Sequence, residues 1–555
     1  MNVSDVLLQI LAANGVKHLF GIPGDAINDI TDAVRRQDAL KFIQVRHEEA
    51  GAFAASAQAK LTGELAACMG TAGPGAIHLL NGLYDAKLDH APVIAITGQV
   101  ETGHIGTEQH QEVRLERLFA DVAVYSQTVV SEEQVPTVFL QACHAAITHR
   151  GVAHISLPTN IASRKVQLEE SRQFSASLAG GVMLHEASVD KAVTLINNAQ
   201  RICLLVGVGC RGARQELVRF AEKLQAPIIR TLKAKEVIDD DHGLCIGGLG
   251  LLGGRPAVKA IDRCELMIMV GTDFPYEDFY PRSARIIQID TDPTQIGKRH
   301  TVDVGLTGDA ATALTWLSEK IDTPRSSDFL QARQKDMDSL REKRARLEAS
   351  DAEPIQPPVI MKTLSDLAPE DAVFTLDTGT VTAWFARHLR LKPKQRYVLS
   401  GGLASMAFAF SGALGAQLAY PHRRVFALTG DGAFTMLMGD LVTAVKYELP
   451  VIVIVLNNEK LDFIKLEQEA KGLPDWGTEL QNLDFAAFAR ACGGLGFTVT
   501  RPDEIAPALQ EAIDVRRPVV IDIAIDPDML IMPPKITLSQ AMGFSMAKIR
   551  ELFSE

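Results

Sequence analysis

The sequence predicts an α/β protein made of three doubly wound, parallel-sheet domains. Short apolar runs alternate with helix-like segments along its 555 residues, an arrangement typical of parallel sheets covered by helices on both faces. The length, with 47% hydrophobic and 22% charged residues, is that of an ordinary multidomain globular protein. The alternation weakens near residue 180 and again near residue 335. We therefore predict domains at residues 1–180, 181–335 and 336–555.

Apolar runs bounded by polar or turn-forming residues locate the predicted strands. In the first domain they are residues 17–20, 41–45, 65–69, 92–96 and 152–157. In the second they are 202–209, 226–232, 265–271 and 285–290, and in the third 373–376, 425–429, 451–456 and 519–525. The first and third domains share an order of features: strand, glycine-rich turn, helix of small residues, and an apolar strand after a proline. The charged stretch 328–358 predicts a solvated helix and a linker.

Composition excludes several classes of protein. With 68 acidic against 56 basic residues, the formal net charge is -12, which argues against a nucleic-acid partner. No uninterrupted apolar run reaches the ~18 residues of a membrane span, and the first residues lack the features of a signal peptide. The seven cysteines are scattered without a C-x-x-C pair, which indicates neither disulfides nor zinc and favours a reducing, cytoplasmic location.

The strongest local motif is Gly430-Asp431-Gly432, followed after a further strand by Asn457-Asn458. Both follow apolar strands, so both are expected at the carboxyl ends of parallel strands, where open α/β sheets bind ligands. A hard divalent cation such as Mg²⁺ takes oxygen ligands, which Asp431, the Asn458 amide and the carbonyl of Lys460 would supply. The two glycines would let backbone N–H groups approach a diphosphate. A tight turn explains the first motif alone, but not the two motifs in this strand context.

These two motifs resemble the thiamine-diphosphate motif of the family that includes acetolactate synthases, pyruvate decarboxylases and pyruvate oxidases. The resemblance covers nearly the whole chain. It implies a pyrimidine-binding first domain, an FAD-binding second domain and a diphosphate-binding third domain. The family's first-domain motifs follow in order at Gly21-Ile22-Pro23-Gly24-Asp25, Arg46-His47-Glu48-Glu49-Ala50, Thr71-Ala72-Gly73-Pro74-Gly75 and His90-Ala91-Pro92-Val93-Ile94.

Glu48 is the main catalytic residue that the resemblance implies. It would hydrogen-bond to the aminopyrimidine ring of thiamine diphosphate and favour the imino tautomer, whose nitrogen removes the thiazolium C2 proton. Without the other motifs, a charged helix start would explain Glu48, since acidic residues stabilise helix N-termini. In the family this glutamate and the diphosphate site come from different subunits. We therefore expect at least a homodimer, and a homotetramer is favoured.

The resemblance places further cofactor contacts at matching positions. Met406 would be the bulky apolar residue that bends thiamine diphosphate into a V shape, although a core methionine would show the same pattern. The implied thiamine-diphosphate contacts are Thr71, Thr378, Gly379, Thr380, Ala404, Ser405, Met406, Gly430, Asp431, Gly432, Ala433, Asn458, Lys460 and Leu461.

The second domain contains segments that resemble the FAD-binding segments of pyruvate oxidases, especially the quinone-linked kind. The turn at residues 207–209 follows a predicted strand but is not a full G-x-G-x-x-G, so alone it indicates little. Asp290 would meet the adenosine part of FAD. The implied FAD contacts are Gly207, Gly209, Leu249, Gly250, Leu251, Leu252, Thr272, Asp273, Phe274, Pro275, Tyr276 and Asp290.

The loop at residues 461–469 resembles the active-site loop of pyruvate oxidases. That places Phe463 near the thiazolium and the flavin, and Glu467 in the substrate pocket. A packing anchor is the alternative interpretation of Phe463. Gln111 and His78 match a glutamine and a histidine of the family's pocket, although a lone histidine more often has a structural role.

Two residues depart from the family's pattern. His110 stands where pyruvate oxidases usually carry Phe, and Asp462 stands where they usually carry Gly. Both put polarity near the expected substrate. The acyl group that is handled, or the fate of the intermediate, is therefore left open.

The implied function is oxidative decarboxylation of a 2-ketoacid, with pyruvate as the leading substrate. Thiamine diphosphate, Mg²⁺ and FAD would be the cofactors. Electrons would pass from hydroxyethyl-thiamine diphosphate to FAD and then to quinone, oxygen or another acceptor, giving acetate or acetyl phosphate. The alternative is a carboligase of the acetolactate synthase type with structural FAD. Glu48 disfavours a third interpretation, a non-catalytic nucleotide-binding protein. The short amphipathic segment 547–553 offers little apolar area and predicts at most weak membrane-surface contact.

Overall fold

The computed structural model describes residues 1–166, 184–322, 324–529, 531, 533–535 and 546. In these ranges, eighteen strands form three six-stranded sheets, and every pair of neighbouring strands is parallel. The predicted α/β class with three parallel sheets is confirmed. The predicted domain boundary at residue 180 and the C-terminal segment 547–553 lie outside the described residues.

The first sheet is built from the N-terminal part of the chain. Its strands are β1 (His18–Gly21), β2 (Lys41–Gln44), β3 (Ala66–Gly70), β4 (Val93–Gln99), β5 (Ala123–Thr128) and β6 (Val152–Pro158). Its helices are α1 (Val3–Ala13), α2 (Asn28–Arg35), α3 (Glu48–Thr62), α4 (Pro74–His78), α5 (Leu80–Leu88), α6 (Leu115–Phe119), α7 (Val135–His149) and α8 (Thr159–Ala162). The spatial order of the strands is β2-β1-β3-β4-β6-β5.

The central sheet has the strand order of a classical dinucleotide-binding fold. Its strands are β7 (Ile202–Val206), β8 (Ile228–Arg230), β9 (Cys245–Gly248), β10 (Leu266–Val270), β11 (Arg285–Asp290) and β12 (Val304–Thr307). Its helices are α9 (Glu186–Asn198), α10 (Arg214–Leu224), α11 (Arg255–Arg263), α12 (Ala310–Lys320) and α13 (Asp328–Glu348). The order β12-β11-β10-β7-β8-β9, numbered within the domain, is the 3-2-1-4-5-6 arrangement seen from the other side.

The third sheet repeats the topology of the first. Its strands are β13 (Val373–Leu376), β14 (Arg396–Leu399), β15 (Val425–Gly430), β16 (Ile452–Asn457), β17 (Leu495–Val499) and β18 (Val519–Ala524). Its helices are α14 (Pro357–Leu367), α15 (Thr380–His388), α16 (Phe408–Ala419), α17 (Asp431–Leu437), α18 (Leu441–Lys446), α19 (Asp462–Ala470), α20 (Phe485–Ala491) and α21 (Pro502–Asp514). The order β14-β13-β15-β16-β18-β17 matches the first sheet strand for strand, as the shared order of sequence features suggests.

The apolar runs predict every interior strand but only one of the six edge strands. The strands that they do not predict, β5, β9, β12, β14 and β17, all lie at sheet edges. Edge strands have one open side, so they need less apolar sequence than strands buried on both faces. β5, for example, is partly or fully exposed along its whole length.

The first and third domains share a continuous hydrophobic core through α3 and α16. Phe53 and Phe408 pack edge to face with their ring centroids 5.6 Å apart. A Cβ at Gly415 would lie only 2.0 Å from the carbonyl oxygen of Ala54, so the glycine permits the close approach of the two helices. This packing fixes one domain against the other.

The charged stretch at residues 328–348 is more than the solvated helix that its composition predicts. It forms α13, which runs without a break through residue 335, the predicted domain boundary. Arg333 is only 4% exposed and pairs with Asp336 at 3.0 Å. At its C-terminal end, Glu348 is buried and bonds to His388 and Arg390 of the third domain. The helix therefore joins the central and third domains.

Candidate active site

The first-domain motifs meet at the switch point between β1 and β3, where an open sheet forms a crevice. The Thr71 hydroxyl donates to Asp25 at 3.2 Å. A Cβ at Gly24 would lie 2.4 Å from the Cβ of Thr71, so this glycine allows the two turns to touch. The motifs at residues 21–25 and 71–75 thus form one surface at the carboxyl edge of the sheet.

Glu48 is the first residue of α3 and is only 6% exposed. Its Oε2 lies 3.0 Å from Nδ1 of His78, which ends the short helix α4 after the glycine-rich turn. A Cβ at Gly75 would come within 3.1 Å of Oε1, so glycine leaves room for the carboxylate. The structure brings Glu48 and His78 together, as expected of two residues of one pocket.

His47 completes this group, although it was not among the residues predicted for the site. Its ring stacks on that of His78 with centroids 4.4 Å apart, and its Nδ1 accepts the backbone N–H of Glu49. Among the described residues, one ligand atom each from His47, Glu48 and His78 lie within 4.8 Å of one another. The position of His47 next to Glu48 was the available signal, since residue 47 must cap whatever helix begins at residue 48.

Gln111 lies against the same glycine-rich turn. A Cβ at Gly73, which has a φ of +67°, would lie 3.0 Å from the carbonyl oxygen of Gln111. Gln111 is half-buried, whereas the neighbouring His110 is exposed. The first-domain candidates Glu48, Thr71, His78 and Gln111 therefore occupy one end of the first sheet.

The third-domain candidates form a second group at the carboxyl ends of β15 and β16. Asp431 begins α17, is 6% exposed and accepts the N–H of Gly432 at 2.9 Å. Its carboxylate also receives the backbone N–H of Glu459, which follows Asn458, and burial raises its pKa to about 6. This hydrogen bond brings the two sequence motifs into direct contact.

The donor set of this group fits a divalent cation. Asp431 and Asn458 carry side-chain oxygens, and the Asn458 Oδ1 accepts the N–H of Lys460 at 3.3 Å. The Lys460 ammonium pairs with Asp475 at 2.9 Å and is a donor only, so any ligand from Lys460 is its carbonyl oxygen. Ala433 and Leu461 adjoin these residues. A Cβ at Gly432 would lie 2.9 Å from Leu461 and 3.7 Å from Met406.

The loops of both groups contain strained backbone. Gln111, Ala404, Ala407 and Glu459 have φ values of 63°, 58°, 68° and 56°, although none is a glycine. Such conformations cost energy and persist where the surroundings enforce them, often at functional sites. Ala404 and Ala407 bracket Ser405 and Met406, two of the predicted cofactor contacts.

The turn after β13 is anchored by a buried carboxyl. Asp377 is fully buried, accepts the Thr429 hydroxyl at 2.6 Å and the Ala409 N–H at 2.9 Å, and has its pKa raised by burial to about 6. Thr378, Gly379 and Thr380 follow it and are half-buried. Asp377 thereby ties this turn to β15 and to the start of α16.

Residues of the loop after Asn-Asn lie in and around α19. Phe463 is half-buried and packs against the core of the third domain, which agrees with the packing-anchor alternative. Glu467 is exposed. Burial raises the pKa of Asp462 to about 6, and the side chain of Thr380 hydrogen-bonds to it. The departure at position 462 therefore touches the predicted diphosphate turn.

The predicted FAD segments meet at the switch point of the central sheet, between β7 and β10. A Cβ at Gly207 would lie 2.0 Å from the carbonyl oxygen of Gly271 and 2.4 Å from the Cβ of Thr272. A Cβ at Gly209 would lie 2.7 Å from the Cα of Gly271. The turn at residues 207–209 thus packs directly on the segment that begins at Thr272.

The remaining FAD candidates extend along the same edge. A Cβ at Gly250 would lie 3.3 Å from the ring of Tyr276 and 3.4 Å from that of Phe274. Leu249 is buried, while Leu251 is 51% exposed. Burial raises the pKa of Asp290 at the end of β11, and the nearby carboxylates of Asp292 and Asp273 contribute to that shift. Pro275 lies within the clustered segment.

The central edge also reaches the third domain. Arg387 of α15 donates from Nε to the carbonyl oxygen of Leu252 at 3.2 Å. Leu252 packs against the same third-domain core as Phe463. The predicted FAD segment therefore ends beside the domain that carries the predicted diphosphate site.

Two α/β domains of identical topology, each with a glycine-rich crevice, flank a domain of dinucleotide-binding order. This arrangement places a carboxylate in the crevice of the first domain and an Asp-Asn oxygen set in the crevice of the third domain. It defines a thiamine-diphosphate enzyme. The chain belongs to the thiamine pyrophosphate enzyme family. The family's N-terminal TPP binding domain matches residues 1–118, its central domain residues 189–317 and its C-terminal TPP binding domain residues 377–523.

Relatives align along nearly the whole chain. A Bacillus subtilis protein described as containing thiamine pyrophosphate is 43% identical over 99% of this chain and 95% of its own length. The pyruvate oxidase of Lactiplantibacillus plantarum is 34% identical over 96% of this chain and 90% of its own length. The large subunit of acetolactate synthase isozyme 2 from Escherichia coli is 32% identical over 95% of this chain and 96% of its own length.

Within the described ranges, none of the helices combines the length and the apolar character needed to cross a membrane.

Proposed function

We propose that the protein is a pyruvate-oxidase-like enzyme that uses thiamine diphosphate, Mg²⁺ and FAD. The observation that carries the proposal is the central sheet. It has dinucleotide-binding order, and three predicted FAD segments meet at its switch point and reach the third domain through Leu252. The 34% identity to a pyruvate oxidase supports the same function.

The reaction would convert a 2-ketoacid, with pyruvate the leading substrate. Pyruvate and water give acetate, carbon dioxide, two protons and two electrons, and the flavin takes up both electrons; with phosphate in place of water the product is acetyl phosphate. Thiamine diphosphate would act as the electron sink for decarboxylation and FAD as the oxidant. Quinone, oxygen or another acceptor would reoxidise the flavin.

The residues of this chain have distinct roles in the proposal. Glu48, held by His78, would hydrogen-bond to the aminopyrimidine ring. Asp431, Asn458 and the Lys460 carbonyl would hold Mg²⁺ and with it the diphosphate. Gln111 and His78 would line the substrate pocket from the first domain, and Phe463 and Glu467 from the third.

A homodimer is part of the proposal, and a tetramer would extend it. Glu48 pairs with His78 inside the first domain, and the Asp431 group lies in the third. The family resemblance implies that a complete site combines these two domains from different chains. Large apolar side chains at or beside the predicted site residues are exposed, which suits burial against a partner or, for Leu251 and Tyr276, against the predicted FAD. They are Ile77 at 46%, Leu251 at 51%, Tyr276 at 43%, Met436 at 55% and Ile464 at 47%.

Anaerobic reduction of the flavin tests the function. The purified protein, reconstituted with thiamine diphosphate, Mg²⁺ and FAD, is mixed with pyruvate in the absence of oxygen. Bleaching of the flavin absorbance together with release of acetate is the expected result. Release of carbon dioxide with a flavin that stays oxidised would refute the oxidase.

A carboligase is the second candidate, and Asp462 is the observation that favours it. This half-buried carboxyl bonds to Thr380 at a position where pyruvate oxidases usually carry glycine, so it adds polarity next to the predicted reaction centre. The 32% identity to an acetolactate synthase is in keeping with this candidate. Acetolactate among the products, formed while the flavin stays oxidised, would establish it.

A further inference from the structure

Asp440 connects the predicted diphosphate-binding helix to the segment that carries Glu48. It lies in the turn of 3-10 helix at residues 438–440, directly after α17, and is only 1% exposed. Its Oδ1 accepts the backbone N–H of Arg46 at 2.8 Å and the Thr443 hydroxyl at 2.8 Å. The same carboxylate also receives the backbone N–H of His47. A buried carboxylate thus holds the two residues that immediately precede Glu48.

The neighbouring third-domain residues hold the strand that leads to this segment. β2 is an edge strand, so one side of its backbone needs partners outside the sheet. The Tyr447 hydroxyl accepts the N–H of Gln44 at 2.8 Å and donates to the carbonyl of Phe42 at 3.3 Å. The Thr443 hydroxyl, whose proton goes to Asp440, also lies 3.3 Å from the carbonyl oxygen of Gln44. The path of the chain from residue 42 to residue 47 is therefore set by the third domain.

Helix α17 links this contact to the predicted metal site. It starts at Asp431 and ends at Leu437, so its seven residues span about 10 Å. Asp431 stands at one end and Asp440 just beyond the other. A shift or stiffening of the helix when its N-terminal end binds Mg²⁺ and diphosphate would reach residues 46 and 47 through a charge-assisted hydrogen bond.

We propose that Asp440 is a positioning residue for Glu48. Through Asp440, the diphosphate site of each chain is coupled to the Glu48 that the same chain contributes to the cofactor site of its partner. The inference rests on the proposed function and on its dimer. Since the N–H groups of Arg46 and His47 are fixed by one carboxylate, the direction in which Glu48 leaves the backbone depends on it. Binding of the diphosphate in one active site would therefore order the Glu48 side chain that serves the other active site.

The Asp440→Asn variant tests the positioning role. The amide cannot accept from every donor that the carboxylate serves, and one of its own N–H groups must face a backbone N–H. Hydrogen–deuterium exchange at C2 of the enzyme-bound cofactor, read by NMR after acid quench, should slow by about tenfold, with kcat falling in parallel. The KM for pyruvate should stay within about threefold, because pyruvate does not contact Asp440; both rates are measured at saturating thiamine diphosphate, since its Kd is linked to the coupling.

Amide exchange followed by mass spectrometry tests the coupling without any turnover. In the wild type, adding thiamine diphosphate and Mg²⁺ should protect the amides of residues 430–437 and also those of residues 46 and 47. In Asp440→Asn, the protection of residues 430–437 should persist and the protection of residues 46 and 47 should be lost. Equal protection of residues 46 and 47 in both proteins, or unchanged C2 exchange, would overturn the inference.

Two further variants keep the result interpretable. Asp484→Asn is the matched control, because Asp484 also accepts a backbone N–H, that of Ala487 at 2.7 Å, but at the start of α20 and not at residues 46 and 47. Its C2 exchange should match that of the wild type. Thr443→Val removes one hydrogen bond of Asp440 and should slow C2 exchange by less than Asp440→Asn. It replaces Asp440→Asn as the test if that variant does not fold. If C2 exchange in Glu48→Gln also proceeds at the wild-type rate, the proposed function itself fails, which is a separate outcome.

Discussion

The imidazole Nδ1 of His78 lies 3.0 Å from the Oε2 of Glu48, at the start of a buried helix and beside a glycine-rich turn. Its burial, its contact with His78 and the absence of a side chain at Gly75 place this carboxylate at the crevice of the first sheet. Its neighbour on the same helix, Glu49, is instead bonded by the Asn81 amide at 2.6 Å. Two adjacent glutamates therefore have different environments.

This difference predicts the outcome of two matched substitutions. Glu48→Gln keeps the shape of the side chain but removes the acid, and should lower kcat for pyruvate by about a hundredfold or more. Glu49→Gln should stay within about threefold of the wild type, because Gln can still accept from Asn81. Steady-state kinetics at saturating cofactor measure both values. Equal losses in the two variants would contradict the assignment of Glu48.

Flavin content should depend on Gly250 and not on Gly212. Both glycines have a positive φ, +100° at Gly250 and +85° at Gly212, so substitution by alanine costs about 1 kcal/mol of backbone strain at either position. At Gly250 the new methyl group would also lie 3.3 Å from the ring of Tyr276, whereas at Gly212 nothing lies within 4 Å. Gly250→Ala should therefore lose bound FAD, measured from the ratio of flavin to protein absorbance. Full occupancy in both variants would place the flavin elsewhere.

Lys60 should be a major source of stability. Its ammonium lies 2.7 Å from both Asp85 and Asp89, and Asp89 also pairs with Lys233 of the central domain and accepts the N–H of Gly401 in the third. Lys60→Met would leave the buried Asp85 carboxylate without a cation and Asp89 with Lys233 alone, which costs about 3–5 kcal/mol. A lower Tm in thermal unfolding is the expected result.

The exposed pair of Lys362 and Asp366 is the control for this substitution. Lys362→Met should leave the Tm almost unchanged, because exposed ion pairs contribute about 0–1 kcal/mol. A Tm for Lys60→Met equal to that of Lys362→Met would show that the buried cluster does not hold the three domains.

The stability contribution of Asp377 should fall as the pH rises. Burial raises the pKa of this carboxyl to about 6, above its ordinary value, so the folded state binds its proton more tightly than the unfolded state. That contribution is complete at low pH and is lost as the pH rises through about 6. Asp377→Asn carries no such proton, and its amide can still pair with Thr429 and Ala409. The Tm of the variant minus that of the wild type should therefore increase between pH 5 and pH 7.5. A constant difference would contradict the burial of an ionisable group here.

The sequence by itself determined the fold class and the position of every interior strand. Parallel strands buried on both faces need continuous apolar runs, and such runs are legible without a structure. The motifs at the ends of these strands were also recognisable in the sequence, and they predict a phosphate and metal site because turns that approach a phosphate need glycine and a metal needs oxygen ligands. The strands that escaped prediction, β5, β9, β12, β14 and β17, all lie at sheet edges, and β5, which is half-buried or exposed throughout, shows how one open side lowers the demand for apolar sequence.

Only the tertiary structure decided how separate segments act together. Asp440 and Arg46 are 394 residues apart, and no local pattern marks a buried aspartate that binds the backbone of another domain. The same holds for the Lys60 cluster, for Asp377 before the predicted diphosphate turn, and for the charged helix α13, whose Glu348 is buried against the third domain. Polar groups become buried and paired only through long-range packing, so their roles depend on neighbours that composition and periodicity do not specify.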